Sequence, residues 1–491
     1  MSRLAKDDIV GVMGDNPTSE VGLCRSCGTP TSAIIIDAKS DGSTAAVSIL
    51  QPSSNLCDDI GHLVDDLVPP TGSYKNHNDY VSQVTHTTHV ILQSLVRSGA
   101  ITQTTGIQGC VVSQRRWHHV GKNPWGVRVG AIRWDAWYGH GKTPTNYVEK
   151  ALSPSEYWKR LPFFASVKVS PPVVTIDGNH QAVMDREIDY AAGMGIDYWA
   201  FMHYPHVVAD GLDRALELYL TSVKRDTVNF SLILNVWSYQ DALGKWRTTE
   251  AALTDLVTLI NHPSVELSFG TRPTVFVLQD ICDEKYMAET CSPWLFKELT
   301  RRSLASYGTK PYFVFLGWAH DPTRSSLMQA YLELDGLSLY AANPADLDLP
   351  RDYPVPYSKF ADAIRVGLLD RLRNTGSQLI PVASAGWDPS PRFDCKARGD
   401  ICYDGYGGNL STVTSGTPWK IGRHVRSVIE WTAYHGVPRD PIPYPTAPAQ
   451  KVLIYAWDEF DEGGWLCPTL ATNLLSPNLK RFEVLKALLR P

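Results

Sequence analysis

From Val127 onward, short apolar runs alternate with stretches of helix length, and this alternation constrains the fold more than any other feature of the chain. Apolar runs without polar alternation suit strands buried on both faces, and the intervening amphipathic stretches suit crossover helices, so the pattern predicts a parallel sheet. Eight such runs are present: VRVGAIRW from 127, DYWAFMHY from 197, FSLILNVW from 230, PTVFVLQ from 273, PYFVFLGW from 311, GLSLYAA from 336, QLIPVASAGW from 378 and KVLIYAW from 451. Between them lie helical candidates such as HQAVMDREIDYAAGMG, TEAALTDLVTLINH, PWLFKELTRRSLASYG and TPWKIGRHVRSVIEWTAYHG, several of which end in the glycine of a left-handed cap. Eight strands with interleaved helices predict a (β/α)8 TIM-type barrel with long loop insertions over residues 121–491. An open doubly wound sheet is the alternative.

Residues 1–120 have a different texture, with Ser, Thr, Asp and Gly spread through short strand-like pieces such as SAIIIDA and TAAVSIL. They read as a small N-terminal module with an attachment or accessory role, joined to the barrel by the turn-rich connector TQTTGIQGCVVSQRRWHHVGKNPWG. No short internal repeat is visible, which leaves solenoids and propellers without support. The net charge of -5 argues against a nucleic-acid partner. MSRLAKDDIVGVMGD lacks the apolar core of a signal peptide, and no stretch is long enough to span a bilayer, so neither classical secretion nor a membrane partner is expected. Nine cysteines are too few for a disulfide scaffold. The spacings of Cys282 with Cys291 and of Cys395 with Cys402 are compatible with local disulfides, and Cys24 with Cys27 forms a CxxC that no second CxxC follows, so no metal site is expected.

The ends of the eight runs are where chemistry is expected, because the C-terminal rim of a β/α barrel carries the active site while its interior is packed core. Polar and aromatic residues gather there in order: Trp134, Asp135, Trp137 and Tyr138; His203 and Tyr204; Asn235 and Trp237; Gln279 and Asp280; Trp318, His320 and Asp321; Tyr340 and Asn343; Trp387, Asp388 and Arg392. The 15 Trp and 22 Tyr outnumber the 13 Phe, which favours rings whose apolar face can stack on a sugar while a polar edge reaches a hydroxyl. A glycan-binding rim is therefore expected, with Trp134, Asp135, Trp137, Tyr138, His203, Tyr204, Trp237, Gln279, Trp318, Trp387 and Asp458 as candidate substrate contacts. Core or capping duty is the competing reading for each. Asp388 and Arg392 are expected to pair with one another and fix a loop.

The last run ends in the densest cluster, VLIYAWDEFDEGGWL, where Asp458, Glu459, Asp461 and Glu462 follow the strand directly and Gly463 and Gly464 break it. Two neighbouring carboxylates cannot both ionise freely, so one holds its proton as an acid and the other serves as a base. Glycosidic bond cleavage needs that division of labour. A solvated acidic turn or a cation site is the bland alternative.

Four segments resemble the family 99 glycoside hydrolases and the related WbsX-type proteins, which often carry a glycosyltransferase label. AWDEFDEG is similar to the family's strand-eight Trp-Asn-Glu-Trp-x-Glu-Gly motif, AWYG to its first-strand Trp-Tyr-Gly, EIDYAAGMGIDYWAF to its second-strand approach, and GWDPSPR to a WbsX-type Gly-Trp-Asp-x-x-x-Arg stretch. The resemblance spans roughly residues 125–470. It implies a retaining glycoside hydrolase without a cofactor, in which Glu459 acts as base toward the sugar 2-hydroxyl and Glu462 as general acid then base. Asp458 and Phe460 depart from the motif's Asn and Trp, so the family's mannose specificity does not transfer. Two other readings stand beside it. One is a WbsX-type transferase, for which no GxGxxG or P-loop is present; the other is a glycan-binding virion or adhesion component, because LAKDDIVGVMGDNPTSEVGLCRSCG resembles the opening segments of some phage structural proteins.

Overall fold

The computed structural model describes residues 34–37, 46–49, 77–97, 125–138, 143–170, 172–204, 212–236, 239, 249–278, 293–317, 319–350, 354–400, 411–436 and 446–489. The opening segment with Cys24 and Cys27, and the expected contacts Trp237, Gln279 and Trp318, lie outside the described residues, as does Cys282 with Cys291. Cys395 is disulfide-bonded, its partner also lying outside them. The chain divides into two units. In the first, Ile34–Asp37 pairs antiparallel with Ala46–Ile49, and His77–Arg97 forms a helix.

The second unit is a (β/α)8 barrel, as the alternation of apolar and amphipathic segments predicts. Its strands are β1 (Arg128–Arg133), β2 (Tyr198–His203), β3 (Asn229–Asn235), β4 (Arg272–Leu278), β5 (Tyr312–Gly317), β6 (Gly336–Leu339), β7 (Val382–Ser384) and β8 (Lys451–Tyr455). Each pairs in parallel with its sequence neighbour, and β8 pairs with β1. Between β6 and β7 the closure consists of a single bridge, in which Leu337 N–H donates to the Gln378 carbonyl at 2.8 Å and Ile380 N–H to the Leu337 carbonyl at 3.0 Å. QLIPVASAGW thus holds only three residues of regular strand.

The outer ring comprises α1 (Gln181–Met194), α2 (Arg214–Thr221), α3 (Glu250–Ile260), α4 (Trp294–Tyr307), α5 (Pro322–Tyr331), α6 (Tyr357–Asp362, continued through the wider turns of Ala363–Leu368 into Leu369–Arg373), α7 (Pro418–His435) and α8 (Lys480–Leu489). Local chemistry sets the helix ends. Thr249, Asp321 and Thr417 accept from backbone N–H groups of the first turns of α3, α5 and α7, and Gly195 ends α1 at φ +94°, where a side chain would be strained. No α8 is evident in the alternating pattern. It packs against α1 and α7, with Phe482 edge-on to Tyr190 and Leu488 over Gly422.

Inside the barrel, the Tyr198 ring lies over Gly130, where a Cβ would meet it at 2.1 Å, and its hydroxyl donates to the Val452 carbonyl at 3.1 Å. Below it, at the strands' N-terminal ends, the Glu266 carboxylate accepts from Arg128 Nε at 2.6 Å and Nη2 at 2.5 Å, from Asn229 Nδ2 at 3.1 Å, and from Lys451 Nζ. Burial works to raise the Glu266 carboxyl, but Arg128 and Lys451 outweigh it and hold it at about 2. Lys451 is itself pulled below the usual ammonium range, because burial, with repulsion from Arg128, outweighs the pull of Glu266 and Asp197. Salt bridges thus fill the bottom of the barrel and leave its upper end for other chemistry.

Candidate active site

Strand β8 delivers its acidic run into a hairpin. Trp457 N–H donates to the Ile132 carbonyl at 2.7 Å, which ties the chain to the end of β1, and β9 (Asp458–Glu459) then pairs antiparallel with β10 (Gly464–Trp465). Gly463 makes the turn at φ +84°; a Cβ there would lie 2.5 Å from the Asp388 amide nitrogen, so only glycine lets the β7 and β8 loops touch. Asp388 N–H uses that approach to donate to the Glu462 carbonyl at 2.5 Å.

Glu459 is 1% and Glu462 6% exposed, so the solvated-turn reading does not hold. Arg133 lies 3.8 Å from Asp458, and Arg392 serves the other three carboxylates. Arg392 places Nε 2.6 Å from Asp461 Oδ2, Nη1 2.5 Å from Glu462 Oε1 and Nη2 3.9 Å from Glu459 Oε2. Glu462 Oε2 accepts from the Tyr455 hydroxyl, whereas Glu459 Oε1 accepts from Tyr340 at 2.8 Å and its Oε2 has no hydrogen-bond partner among the described residues. Burial first, and the nearby Glu462 second, push the Glu459 carboxyl well above the usual carboxylate range, more than Arg392 can offset.

A second buried network lies beside the first. Arg133 donates through Nε and Nη2 to Asp135 Oδ1 at 3.0 and 2.6 Å and through Nη2 to Glu187 Oε2 at 3.1 Å. Glu187 also accepts from the Tyr138 hydroxyl at 2.7 Å and from the Trp457 indole at 2.8 Å. Burial first, and the neighbouring Asp135 second, raise the Asp458 carboxyl well above its ordinary value. Asp458 in turn accepts from Trp134 N–H at 3.1 Å.

The expected contacts therefore separate by role. Trp134 stands against the carboxylate cluster, with the Arg392 guanidinium 5.6 Å from its ring centre and its indole donating to the Tyr204 hydroxyl at 3.2 Å. Trp387 is tilted against Tyr455 at 5.8 Å. Asp135, Tyr138 and Asp458 lie in the second network, and Trp137 is fully buried, edge-on to Phe460, with its indole N–H unpartnered among the described residues. His203 bonds the Tyr239 hydroxyl through Nδ1.

The expected Asp388–Arg392 pair does not form. Asp388 sits at the start of the helix Ser390–Ala397, where it accepts from Ser390 N–H at 3.2 Å and pairs with Arg160. Arg392 lies within that helix and turns to the hairpin instead. Arg133, Arg160, Glu187 and Tyr455 were not among the expected site residues; the one signal for Arg133 is a cation at the end of an otherwise apolar strand. Among the described residues no group of His, Cys, Asp or Glu is arranged to hold a metal ion, and no helix is long and apolar enough to cross a membrane.

No family model matches the chain, and no curated protein is similar to it in sequence. Among solved structures it is similar to a glycoside hydrolase-like protein, with 13% identity and a TM-score of 0.45 over 74% of this chain and 92% of that one. It is also similar to the GH99 endo-alpha-mannosidase from Bacteroides thetaiotaomicron, with 11% identity and a TM-score of 0.40 over 70% and 88% of the two chains. A family 39 glycoside hydrolase from the gut symbiont Bacteroides cellulosilyticus WH2 has 12% identity and a TM-score of 0.33 over 68% and 64%.

Proposed function

We propose that this chain is a glycoside hydrolase, retaining and endo-acting, which cleaves a polysaccharide or glycan with Glu459 and Glu462 and needs no cofactor. The observation that carries the reading is the single Arg392 guanidinium reaching both buried glutamates at the end of β8. A guanidinium shared in this way keeps the two carboxyl groups near enough to act on one glycosidic bond. Trp134, Tyr204 and Trp387 beside them supply ring surface for a sugar. The first 120 residues enter the proposal as an attachment or accessory module.

Their environments favour a division of labour opposite to the one the family resemblance implies. Glu462 has a cation and a phenol donating to its two oxygens, which suits a carboxylate; Glu459 has one phenol donor and a second buried oxygen that takes no hydrogen bond and lies 3.9 Å from Arg392, which suits a carboxylic acid. Glu459 then gives its proton to the glycosidic oxygen as the anomeric C–O bond breaks, while Glu462 takes the proton of the 2-hydroxyl as O2 bonds to the anomeric carbon. In the second step Glu459, now a carboxylate, takes a proton from water as the water oxygen attacks that carbon. The O2 bond opens and O2 regains its proton from Glu462. Two inversions leave the configuration retained, and both carboxyl groups return to their starting states.

The test is turnover of a panel of bacterial capsular polysaccharides and α-mannans, with product anomers followed by NMR. Glu459→Gln and Glu462→Gln should each lower turnover by about 100-fold or more while leaving folding and glycan binding intact. Full activity in both variants overturns the proposal.

A further inference from the structure

Beside Trp465 of the β9–β10 hairpin lies a cavity of about 200 Å³ whose charged lining is entirely cationic: Lys159, Lys480 and Arg481. Trp465, Thr469 and Asn478 complete the part of the wall that matters here. Among the described residues no carboxylate pairs with any of the three cations. Arg481 donates through Nη1 to the Trp465 carbonyl, and its guanidinium stacks on the Trp465 ring at 3.9 Å, so it is held in place by neutral groups only. The contrast with Arg160 is informative. That guanidinium lies 5.7 Å from the same ring but has Asp388 to neutralise it.

A part-buried cation without a counter-charge is costly, and a fold keeps one where something else supplies the negative charge. Burial, with Arg160 adding repulsion and Tyr357 opposing it, pulls the Arg481 guanidinium down to about 9. The first turns of α7 and α8 also line the cavity through Pro418 and Lys480, and helix N-termini favour anions. Thr469 and Asn478 add side chains able to donate to oxygen.

We propose that this cavity is an anion-binding site that takes a phosphate, sulfate or carboxylate group. Two sources share that chemistry: a charged substituent on a glycan, and free inorganic anion. The wall of the site is also part of the hairpin that carries the glutamates, because Trp465 pairs with Asp458 and Gly464 with Glu459. Anion binding itself does not depend on the hydrolase reading.

The experiment is a calorimetric titration of the full chain with sodium phosphate, sodium sulfate and sodium glucuronate, at an ionic strength fixed with sodium chloride. At least one of the three should bind saturably. Lys159→Ala/Lys480→Ala, which alters two exposed side chains without touching the core, should weaken that binding about tenfold or more; Arg481→Gln should weaken it further. Tighter binding of glucuronate than phosphate assigns the site to a glycan substituent, and the reverse assigns it to free phosphate; either outcome supports the proposal. Absence of saturable binding by all three anions overturns it, as does wild-type affinity in the double variant.

Discussion

Replacing Glu266 by Gln tests how the closed end of the barrel is held together. The carboxylate is fully buried and takes two hydrogen bonds from Arg128, one from Asn229 and one from Lys451. Its ordinary value of 4.5 falls to about 2 in the folded chain. At roughly 1.4 kcal/mol per pKa unit, that difference contributes about 3 kcal/mol. Because the folded value lies below the unfolded one, this stabilisation is complete above about 4.5 and is lost as the pH falls toward about 2. The Gln variant leaves Arg128 and Lys451 without their shared anion, which should cost about 3–5 kcal/mol at pH 7. Urea unfolding followed by tryptophan fluorescence measures the gap between wild type and variant. It should narrow by about 2 kcal/mol between pH 7 and pH 3, since the wild type loses a term the variant never had. A gap that stays constant over that range, or a variant as stable as wild type at pH 7, would refute the reasoning.

Arg392→Met should leave Asp461, Glu459 and Glu462 without their cation, lowering stability by about 3–5 kcal/mol in the same urea measurement and lowering turnover. Arg392→Lys should restore little activity, because an ammonium cannot reproduce the planar fork that reaches all three carboxylates. His424 is buried, accepts from Ser384 N–H, and is pulled down to about 4 by burial and then by Arg365. Stability that is complete above about 6.5 should therefore fall by about 3 kcal/mol as the pH drops toward 4, and His424→Asn should remove that dependence in the same urea measurement.

The barrel was legible because its strands are buried on both faces and so read as unbroken apolar runs, each ending where polar residues begin. The position of Glu459 and Glu462 just beyond β8 was legible for the same reason: they lie three and six residues after Ala456, at the end of a clearly bounded run. Partnerships across the fold were not. Asp388 and Arg392 are four residues apart and of opposite charge, yet Asp388 sits at the start of a short helix and Arg392 one turn inside it, so they face different partners. Arg133 and Glu187 come from a strand and a helix far apart in sequence, and no local spacing announces their pairing. Trp137 and Tyr138 sit at a strand end, where rim residues are expected, but the chain turns them inward against Phe460 and Glu187. Helix α8 escaped notice because no strand follows it to continue the alternation.

Difference infrared spectroscopy of the folded protein at pH 7 tests, without any substrate, whether Glu459 and Glu462 are a matched acid and base. The carbonyl band of a protonated carboxyl should be lost in Glu459→Gln and kept in Glu462→Gln. Loss of that band in Glu462→Gln, or its persistence unchanged in Glu459→Gln, would contradict the account.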